Sequence, residues 1–179
     1  TSAARVIARY LNCTNLKKDD NGHSVPCGEC ESCKLDFEAH PDITELNIAA
    51  TGGKDDVKAL VRNSQMSPSY NFKVFILDEI HALSGAAKET ILKPLEEPPE
   101  KTVWILCTTN PEKLTPTLRG RCRQLEIKSL DETACAKMLN RIAKKEGVSS
   151  LSKEQFITIS RLTGAQPRAA IQALGAVLD

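Results

Sequence analysis

Two adjacent acidic residues, Asp78 and Glu79, follow directly on an apolar run at residues 74–77. Such a run is typical of a buried strand of a parallel sheet, so the carboxylates are expected at its carboxyl end, where open α/β sheets bind ligands. Acids placed there can divide a reaction between them. Asp78 would hold a Mg²⁺ ion, and Glu79 would polarise a water molecule for attack on a phosphate. The pair is also compatible with a plain strand end whose acids cap the next helix.

Polar residues also follow a second apolar strand. Thr109 and Asn110 come after it. If the two strands are neighbours, either side chain would lie beside the acids, where it could orient the water or contact a terminal phosphate. An ordinary turn is the alternative interpretation, because Asn-Pro is a common turn signal.

Arginines provide two further candidate phosphate contacts. Arg119, Arg121 and Arg123 are spaced two residues apart, and the guanidinium group is a planar fork that suits phosphate. A solvated basic turn is the alternative. Arg168 is expected in the first turn of a helix, where a cation is mildly unfavourable because of the helix dipole. We therefore expect Arg168 to meet an anion from outside its own helix.

Four of the seven cysteines form a cluster in the sequence: Cys13, Cys27, Cys30 and Cys33. The two-residue gaps between the last three let thiolates converge on one tetrahedral ion, with the first cysteine as fourth ligand. Four protein ligands leave no open position, which indicates a structural zinc site. His23 and His40 are possible substitutes for one ligand, although surface positions are the simpler interpretation. A redox motif is disfavoured because no thioredoxin-like βαβ pattern surrounds the cysteines.

The spacing of apolar residues predicts the elements that position these groups. Strands are predicted over 43–48, 73–77, 103–107 and 123–127, between helical patterns at 3–12, at 34–39, from 55, and from 84 to 97. Alternating strands and helices are typical of an α/β domain with a parallel sheet. Three helical segments follow without a strand, at 131–146, 152–162 and 166–178. We expect a core over residues 1–128, with the cysteine-rich module at about 13–40, and a helical domain over 129–179.

The composition excludes several classes of protein. Lys and Arg number 24 against 23 Asp and Glu, and the net charge is +1. That balance excludes a basic module that binds nucleic acid through its own positive charge. Contact with DNA would therefore need the help of other molecules. No run approaches the roughly 18 apolar residues of a membrane helix, and no signal-peptide pattern is present. With an odd number of unevenly spread cysteines, we expect a cytoplasmic protein with reduced thiols and no membrane partner.

Taken together, these motifs resemble the gamma/tau subunits of the bacterial DNA polymerase III clamp loader, which are AAA+ ATPases. The resemblance covers essentially the whole chain, and the four cysteines resemble the zinc-binding insertion of that family. The other matching segments are the helix after the phosphate-binding loop at residues 1–13, the Walker B segment at 77–84, a helix terminus at 95–99 and sensor 1 at 108–111.

The resemblance implies a fold and a function. The fold would be α/β, an AAA+ P-loop-type parallel sheet flanked by helices, with a zinc-binding insertion and a small helical lid domain. The function would be that of a motor subunit, which is an ATPase. It would work within a DNA-directed DNA polymerase complex, and that complex is a nucleotidyltransferase. Such subunits bind ATP, Mg²⁺ and structural Zn²⁺, form a pentameric ring with other clamp-loader subunits, and load the sliding clamp on primed DNA through the assembled ring.

The same resemblance implies roles for individual residues. Asp78 would position Mg²⁺, Glu79 would be the catalytic base, and Thr109 would sense the γ-phosphate. Arg121 would be the arginine finger that reaches into the neighbouring subunit's site, and Arg168 would be the sensor 2 residue of the lid. The four clustered cysteines would bind the zinc. An arginine finger can contribute roughly 10³–10⁵ in rate.

Three features depart from the family pattern. The P-loop glycines and lysine would precede Thr1, which takes the Mg²⁺-ligating Ser/Thr position, so we expect residues 1–179 by themselves to bind ATP poorly. Gly120 stands where the family has a serine before the finger. Pro94 falls within the helix before residues 95–97 and is expected to kink or end it.

Two other functions remain compatible with the sequence. A non-hydrolysing clamp-loader subunit resembling delta-prime would keep the zinc module and donate an arginine finger without turning over ATP. The intact pair of Asp78 and Glu79 argues against this non-hydrolysing function. A zinc-dependent protein-interaction module unrelated to replication is the other alternative.

Overall fold

The structure is a computed structural model that describes residues 1–51, 53–148 and 151–178. The chain divides into two compact units, residues 1–124 and residues 125–179. The division falls at 124/125, whereas the sequence predicts it at 128/129.

A three-stranded parallel sheet forms the centre of the first unit, with its strands side by side in the order in which they occur in the sequence. Its strands are β3 (Ile43–Asn47), β4 (Lys73–Asp78) and β5 (Thr102–Leu106). They agree with three of the predicted strands to within a residue. The register pairs Leu77 of the central strand with Leu46 on one side and Leu106 on the other. All three strands therefore end at the same edge of the sheet.

Helices cover both faces of this sheet. They are α1 (Ser2–Asn12), α3 (Ile48–Thr51), α4 (Lys54–Ser64), α5 (Gly85–Glu96) and α6 (Pro116–Arg119). Phe75 and Leu77 of β4 pack with apolar residues of α3 to α6, whereas Val74 and Ile76 pack with those of α1. Because both faces of β4 are buried, its sequence is a continuous apolar run instead of an alternating one.

The cysteine-rich module follows α1. It contains a short hairpin, β1 (Lys17–Lys18) with β2 (Ser24–Val25), and the one-turn helix α2 (Glu31–Lys34). The single short helix predicted at 34–39 is instead α2 followed, after a break, by a 3₁₀ turn at Phe37–Ala39.

The predicted strand at 123–127 is wrong, because the backbone has no regular structure there. In the described part of the chain, β5 pairs with β4 alone, so residues 123–127 have no strand to bond with. Leu125 and Ile127, which suggested a strand, are 67% and 76% exposed. The apolar pattern indicates a preference for extended structure, but a strand forms only where a partner supplies the hydrogen bonds.

Pro94 does not end its helix where it occurs. Helix α5 begins at the N-cap Ser84, whose hydroxyl accepts a hydrogen bond from the Ala87 amide, and continues through Pro94 to Glu96. Proline in the last turn removes only one helical hydrogen bond, so the helix tolerates Pro94 and ends two residues later.

The second unit consists of helices α7 (Glu132–Lys145), α8 (Lys153–Leu162) and α9 (Pro167–Leu178). Their positions match the three predicted helical segments to within a residue. The Asp131 side chain caps α7, and Ser152 forms a capping box at the start of α8. Leu139, Phe156 and other buried residues form a core separate from that of the first unit.

Within the described residues, none of the helices combines the length and the apolar character that crossing a membrane requires.

Candidate functional site

Asp78 is the last residue of β4, at the carboxyl edge of the sheet. Its Oδ2 accepts a hydrogen bond of 2.6 Å from the hydroxyl of Thr1, the N-cap of α1. Its Oδ1 accepts the backbone amide of Glu79 at 3.1 Å. A carboxylate and a hydroxyl in contact are the hard oxygen groups that Mg²⁺ prefers.

Glu79 lies beside Asp78 in a strained backbone conformation. It has φ +53° and ψ +41°, the left-handed region that a residue with a side chain seldom adopts. This conformation starts the 3₁₀ turn at Ile80–Ala82, and the carboxylate of Glu79 stays one-third exposed. Strain of this kind occurs at functional sites, where the surrounding structure holds it.

The residues after β5 meet those after β4. The Thr109 hydroxyl donates to Glu79 Oε2 over a long distance of 3.4 Å, and the Asn110 side-chain amide donates to the Thr109 hydroxyl at 3.2 Å. The backbone amide of Ile80 donates to the Cys107 carbonyl at 3.0 Å, which fixes one loop against the other. The structure therefore brings together four predicted site residues, Thr1, Asp78, Glu79 and Thr109, that are far apart in the sequence.

His81 also belongs to this cluster, although its residue type and spacing do not single it out as a candidate. Its Nδ1 lies 3.3 Å from Glu79 Oε2 and 3.0 Å from the hydroxyl of Thr108. The signal in the sequence that could have identified His81 is its position two residues after Glu79, the candidate base.

Arg121 lies apart from these acids, in the turn after α6. Its Nη2 and Nε donate to Glu96 Oε2 at 2.9 and 3.3 Å, and its Nη1 donates to the Thr117 carbonyl at 3.0 Å. The Arg121 side chain is 27% exposed and that of Glu96 is 60% exposed. The Arg121 guanidinium thus lies at the surface, and its ion pair with Glu96 is open to solvent.

Arg168 belongs to the second unit. It is the second residue of α9 and is exposed. A cation in this first turn lies at the positive end of the helix dipole, as the sequence predicts.

The four clustered cysteines come together in space. Their Sγ atoms all lie within 4.8 Å of one another, and tetrahedral zinc with Zn–S bonds of about 2.3 Å requires sulfurs about 3.8 Å apart. The Cys27 amide donates to Cys13 Sγ at 3.3 Å, and the Cys30 amide donates to Cys27 Sγ at 3.2 Å. Gly28, at φ +73°, allows the tight turn between Cys27 and Cys30. The donor set and its spacing fit a zinc ion.

The surroundings of these thiols shift their pKa values in different directions. Burial raises the pKa of Cys33 to about 12. Burial also opposes ionisation of Cys30, but hydrogen bonds from the backbone of Thr14 and Cys33 outweigh it and lower its pKa to about 6. A hydrogen bond with the Glu29 backbone lowers the pKa of Cys27. Thiolates this close repel one another, so a fully ionised cluster requires a bound cation.

Neither candidate histidine joins the cysteine cluster. His40 is buried between Ser32 and Asp42: its Nε2 lies 2.9 Å from the Ser32 hydroxyl, and its Nδ1 accepts the Asp42 amide at 3.1 Å. His23 lies against Asp19 in the hairpin turn. His40 therefore links the cysteine module to the start of β3.

Comparison with known proteins identifies the family. A family model described as DNA polymerase III, delta subunit, matches residues 1–131. The tau/gamma subunit of DNA polymerase III from Haemophilus influenzae is 39% identical over 150 residues, which are 83% of this chain and 21% of that protein. The gamma/tau subunit from Mycobacterium tuberculosis is 35% identical over an alignment of 182 positions, which covers 99% of this chain and 30% of that protein. The chain thus spans less than a third of these two relatives.

Solved structures show the same fold. The Thermotoga maritima RuvB Holliday junction branch migration motor has a TM-score of 0.64 at 20% identity, over 75% of this chain and 44% of its own. A DNA polymerase III gamma subunit-related protein from the same organism has a TM-score of 0.54 at 22% identity, over 75% of this chain and 42% of its own. The α/β fold with a parallel sheet is confirmed and resembles that of AAA+ proteins. The resemblance predicted from the motifs is also confirmed, and this chain belongs to the DNA polymerase III clamp-loader family that contains the delta and gamma/tau subunits.

Proposed function

We propose that the chain is the motor subunit of a clamp loader, which couples binding and hydrolysis of ATP to loading of the sliding clamp on primed DNA. The observation that carries the proposal is the meeting of Thr1, Asp78, Glu79 and Thr109 at the carboxyl edge of β4 and β5. Two of these residues present oxygen atoms suited to Mg²⁺, a third is a general base, and the fourth is a hydroxyl beside that base.

Each of these residues has a distinct task in the hydrolysis of ATP. Asp78 and Thr1 would hold Mg²⁺, which when bound neutralises charge on the phosphate oxygens. Glu79 accepts a proton from water as the water oxygen forms a bond to the γ-phosphorus. The bond between that phosphorus and the bridging oxygen breaks, and ADP leaves with the electron pair. The Thr109 hydroxyl, 3.4 Å from the Glu79 carboxylate, would sense whether the γ-phosphate is present.

The arginines would complete the site within a pentameric ring of clamp-loader subunits. Arg121 lies at the surface, where exchange of Glu96 for a nucleotide phosphate would let it serve the neighbouring subunit. Arg168 in α9 would supply the sensor 2 contact. Since the chain has a net charge of only +1, contact with primed DNA would be made by the assembled ring.

The cysteine cluster would hold a structural Zn²⁺. With four thiolate ligands, the ion would leave no position for a substrate, so it would stabilise the module without taking part in hydrolysis.

A second candidate is a non-hydrolysing subunit resembling delta-prime. The family model, described as the delta subunit, favours it. Such a subunit would donate an arginine finger, here Arg121, to its neighbour without turning over ATP. The strained, hydrogen-bonded Glu79 favours the hydrolysing subunit instead.

The decisive experiment compares Glu79→Gln with Glu89→Gln in the full-length protein assembled with its partner subunits. Glu89 is an exposed acid of α5 and serves as the matched control. We expect Glu79→Gln to retain Mg-ATP binding and to lose about 10²–10⁴ in clamp- and DNA-stimulated turnover, whereas Glu89→Gln keeps both. Full turnover by Glu79→Gln would remove Glu79 as the base. Absence of Mg-ATP binding by the wild-type protein would instead favour the delta-prime-like function.

A further inference from the structure

The ring of His81 bridges the two loops that carry the catalytic candidates. It belongs to the 3₁₀ turn that directly follows Glu79, and its side chain is 18% exposed. Its Nδ1 faces two oxygens at once, Glu79 Oε2 at 3.3 Å and Thr108 Oγ1 at 3.0 Å. Thr108 immediately precedes the sensing residue Thr109, so this one nitrogen connects the loop after β4 with the loop after β5.

The surroundings of Nδ1 decide which atom carries the proton. If the Nδ1 atom of His81 were unprotonated, its lone pair would face the carboxylate of Glu79, which is a repulsive arrangement. With the proton on Nδ1, the ring donates to the carboxylate and to the Thr108 hydroxyl together. The Thr108 oxygen also accepts the Asn110 amide at 3.0 Å, so it already serves as an acceptor in this loop.

His81 contacts Oε2 of Glu79. A general base must hold its carboxylate oxygen in a defined direction to accept a proton from water. Oε2 of Glu79 is also the atom that Thr109 approaches. The carboxylate of Glu79 ends a flexible side chain, so contacts from other residues must fix its direction. His81 and Thr109 supply these contacts.

We propose that His81 is a positioning residue for Glu79, with its Nδ1–H shared between the Glu79 carboxylate and the Thr108 hydroxyl. This inference rests on the proposed function, in which Glu79 is the base. As a positioning residue, His81 would act through the carboxylate of Glu79 and not on the nucleotide or the attacking water. It fixes the direction of the carboxylate and makes that direction depend on the loop that senses the γ-phosphate.

The tautomer can be measured without any enzyme assay. In the chain labelled with ¹⁵N-histidine, at a pH where the rings are neutral, ¹H–¹⁵N correlation spectra should show His81 with its proton on Nδ1. His40 provides the internal reference of opposite type, because its Nδ1 accepts the Asp42 amide and its proton must be on Nε2. A neutral His81 with its proton on Nε2 would overturn the proposal.

The kinetic test uses three variants in the full-length, assembled protein. His81→Ala should lower kcat for ATP about tenfold or more, with KM changed by less than about twofold, because only the geometry of the base is disturbed. His81→Asn places an amide N–H near the position of Nδ1 and should restore most of kcat. His23→Ala, at an exposed histidine of the hairpin, should behave as wild type.

The outcomes separate this inference from the proposed function. If Glu79→Gln abolishes turnover but His81→Ala leaves kcat unchanged, or if His81→Asn is as slow as His81→Ala, His81 does not position the base. If the wild-type assembly does not hydrolyse ATP, the proposed function fails, and with it the role of His81 in turnover, even where the spectra show the Nδ1–H tautomer.

Discussion

The hydroxyl of Thr1 lies 2.6 Å from a carboxylate oxygen of Asp78. This hydrogen bond joins the N-terminus of α1 to the carboxyl end of β4. Under the proposed function, this hydroxyl and carboxylate at the edge of a parallel sheet would hold Mg²⁺ beside the phosphates. The other members of the candidate site surround this pair.

Replacement of Asp78 by Asn should raise the requirement for Mg²⁺. The substitution keeps the size of the side chain but removes its charge, so we expect the Mg²⁺ concentration for half-maximal ATPase activity to rise about tenfold or more. A Mg²⁺ titration of the full-length, assembled protein measures this. Asp55→Asn is the control, because Asp55 is an exposed acid whose neighbour is the surface Lys58. An unchanged Mg²⁺ requirement in Asp78→Asn would exclude Asp78 as a ligand.

Arg121 should be needed for stimulated turnover, and its partner Glu96 should not. We expect Arg121→Ala to lower clamp- and DNA-stimulated ATPase activity by roughly 10³. Arg123→Ala, at an exposed arginine of the same basic turn, controls for the loss of positive charge. Equal losses in the two variants would show that the turn acts only through its charge.

Glu96→Gln tests whether the contact with Arg121 is structural. Both side chains reach solvent, and ion pairs of this kind contribute up to about 1 kcal/mol. We expect chemical denaturation to show a change in the free energy of unfolding below that value, with ATPase activity retained. A loss of activity as large as that of Arg121→Ala would mean that Arg121 acts through Glu96 and not on a phosphate.

The sequence was sufficient to locate the sheet and the acids at its edge. Strand β4 is buried on both faces, and the partly buried residues of β5 pack against both cores of the first unit, so their apolar runs are continuous and end abruptly at polar residues. Asp78 and Thr109 could therefore be placed at strand ends, and parallel pairing of the strands brings those ends together. The capped helices of the second unit were equally clear, since their apolar periodicity and their caps agree.

The remaining contacts depend on geometry that residue types do not reveal. Glu79 adopts a left-handed backbone conformation and its carboxylate lies 3.3 Å from His81 Nδ1, and residue types alone predict neither feature. The ion pair of Arg121 with Glu96 joins the turn after α6 to the end of α5, which are 25 residues apart in the sequence. Residues 123–127 have an apolar alternation that favours a strand, yet a strand depends on a partner elsewhere in the chain.

Zinc should bind to the cysteine cluster with a stoichiometry of about one ion per chain. Cys33→Ser removes a buried ligand, so we expect it to lose the metal and to lower the thermal unfolding temperature. Elemental analysis of protein purified without chelator, combined with a thermal melt, checks both. Cys122→Ser is the control, because Cys122 is a free thiol remote in sequence from the cluster. Full metal content in Cys33→Ser, or none in the wild type, would contradict the assignment.

His40 should make the stability of the first unit depend on pH. Burial lowers the pKa of His40, the nearby Arg9 adds to this effect, and Asp42 acts in the opposite direction without cancelling it. The unfolded chain, with a histidine pKa of about 6.5, therefore binds more protons than the folded chain as the pH falls through that value. The contribution is fully present above the unfolded pKa and is lost on acidification.

The comparison that isolates this effect is between the wild type and His40→Gln, both saturated with zinc. The glutamine does not titrate, whereas every other acid-sensitive group is common to the two proteins. Between pH 7.5 and pH 5.5, on either side of the usual histidine pKa of about 6.5, we expect the free energy of unfolding to fall more steeply in the wild type. His40→Gln should be less stable at neutral pH, because the imidazole connects Ser32 with the Asp42 amide. Parallel pH profiles would show that His40 keeps an ordinary pKa in the fold and that its burial does not penalise protonation.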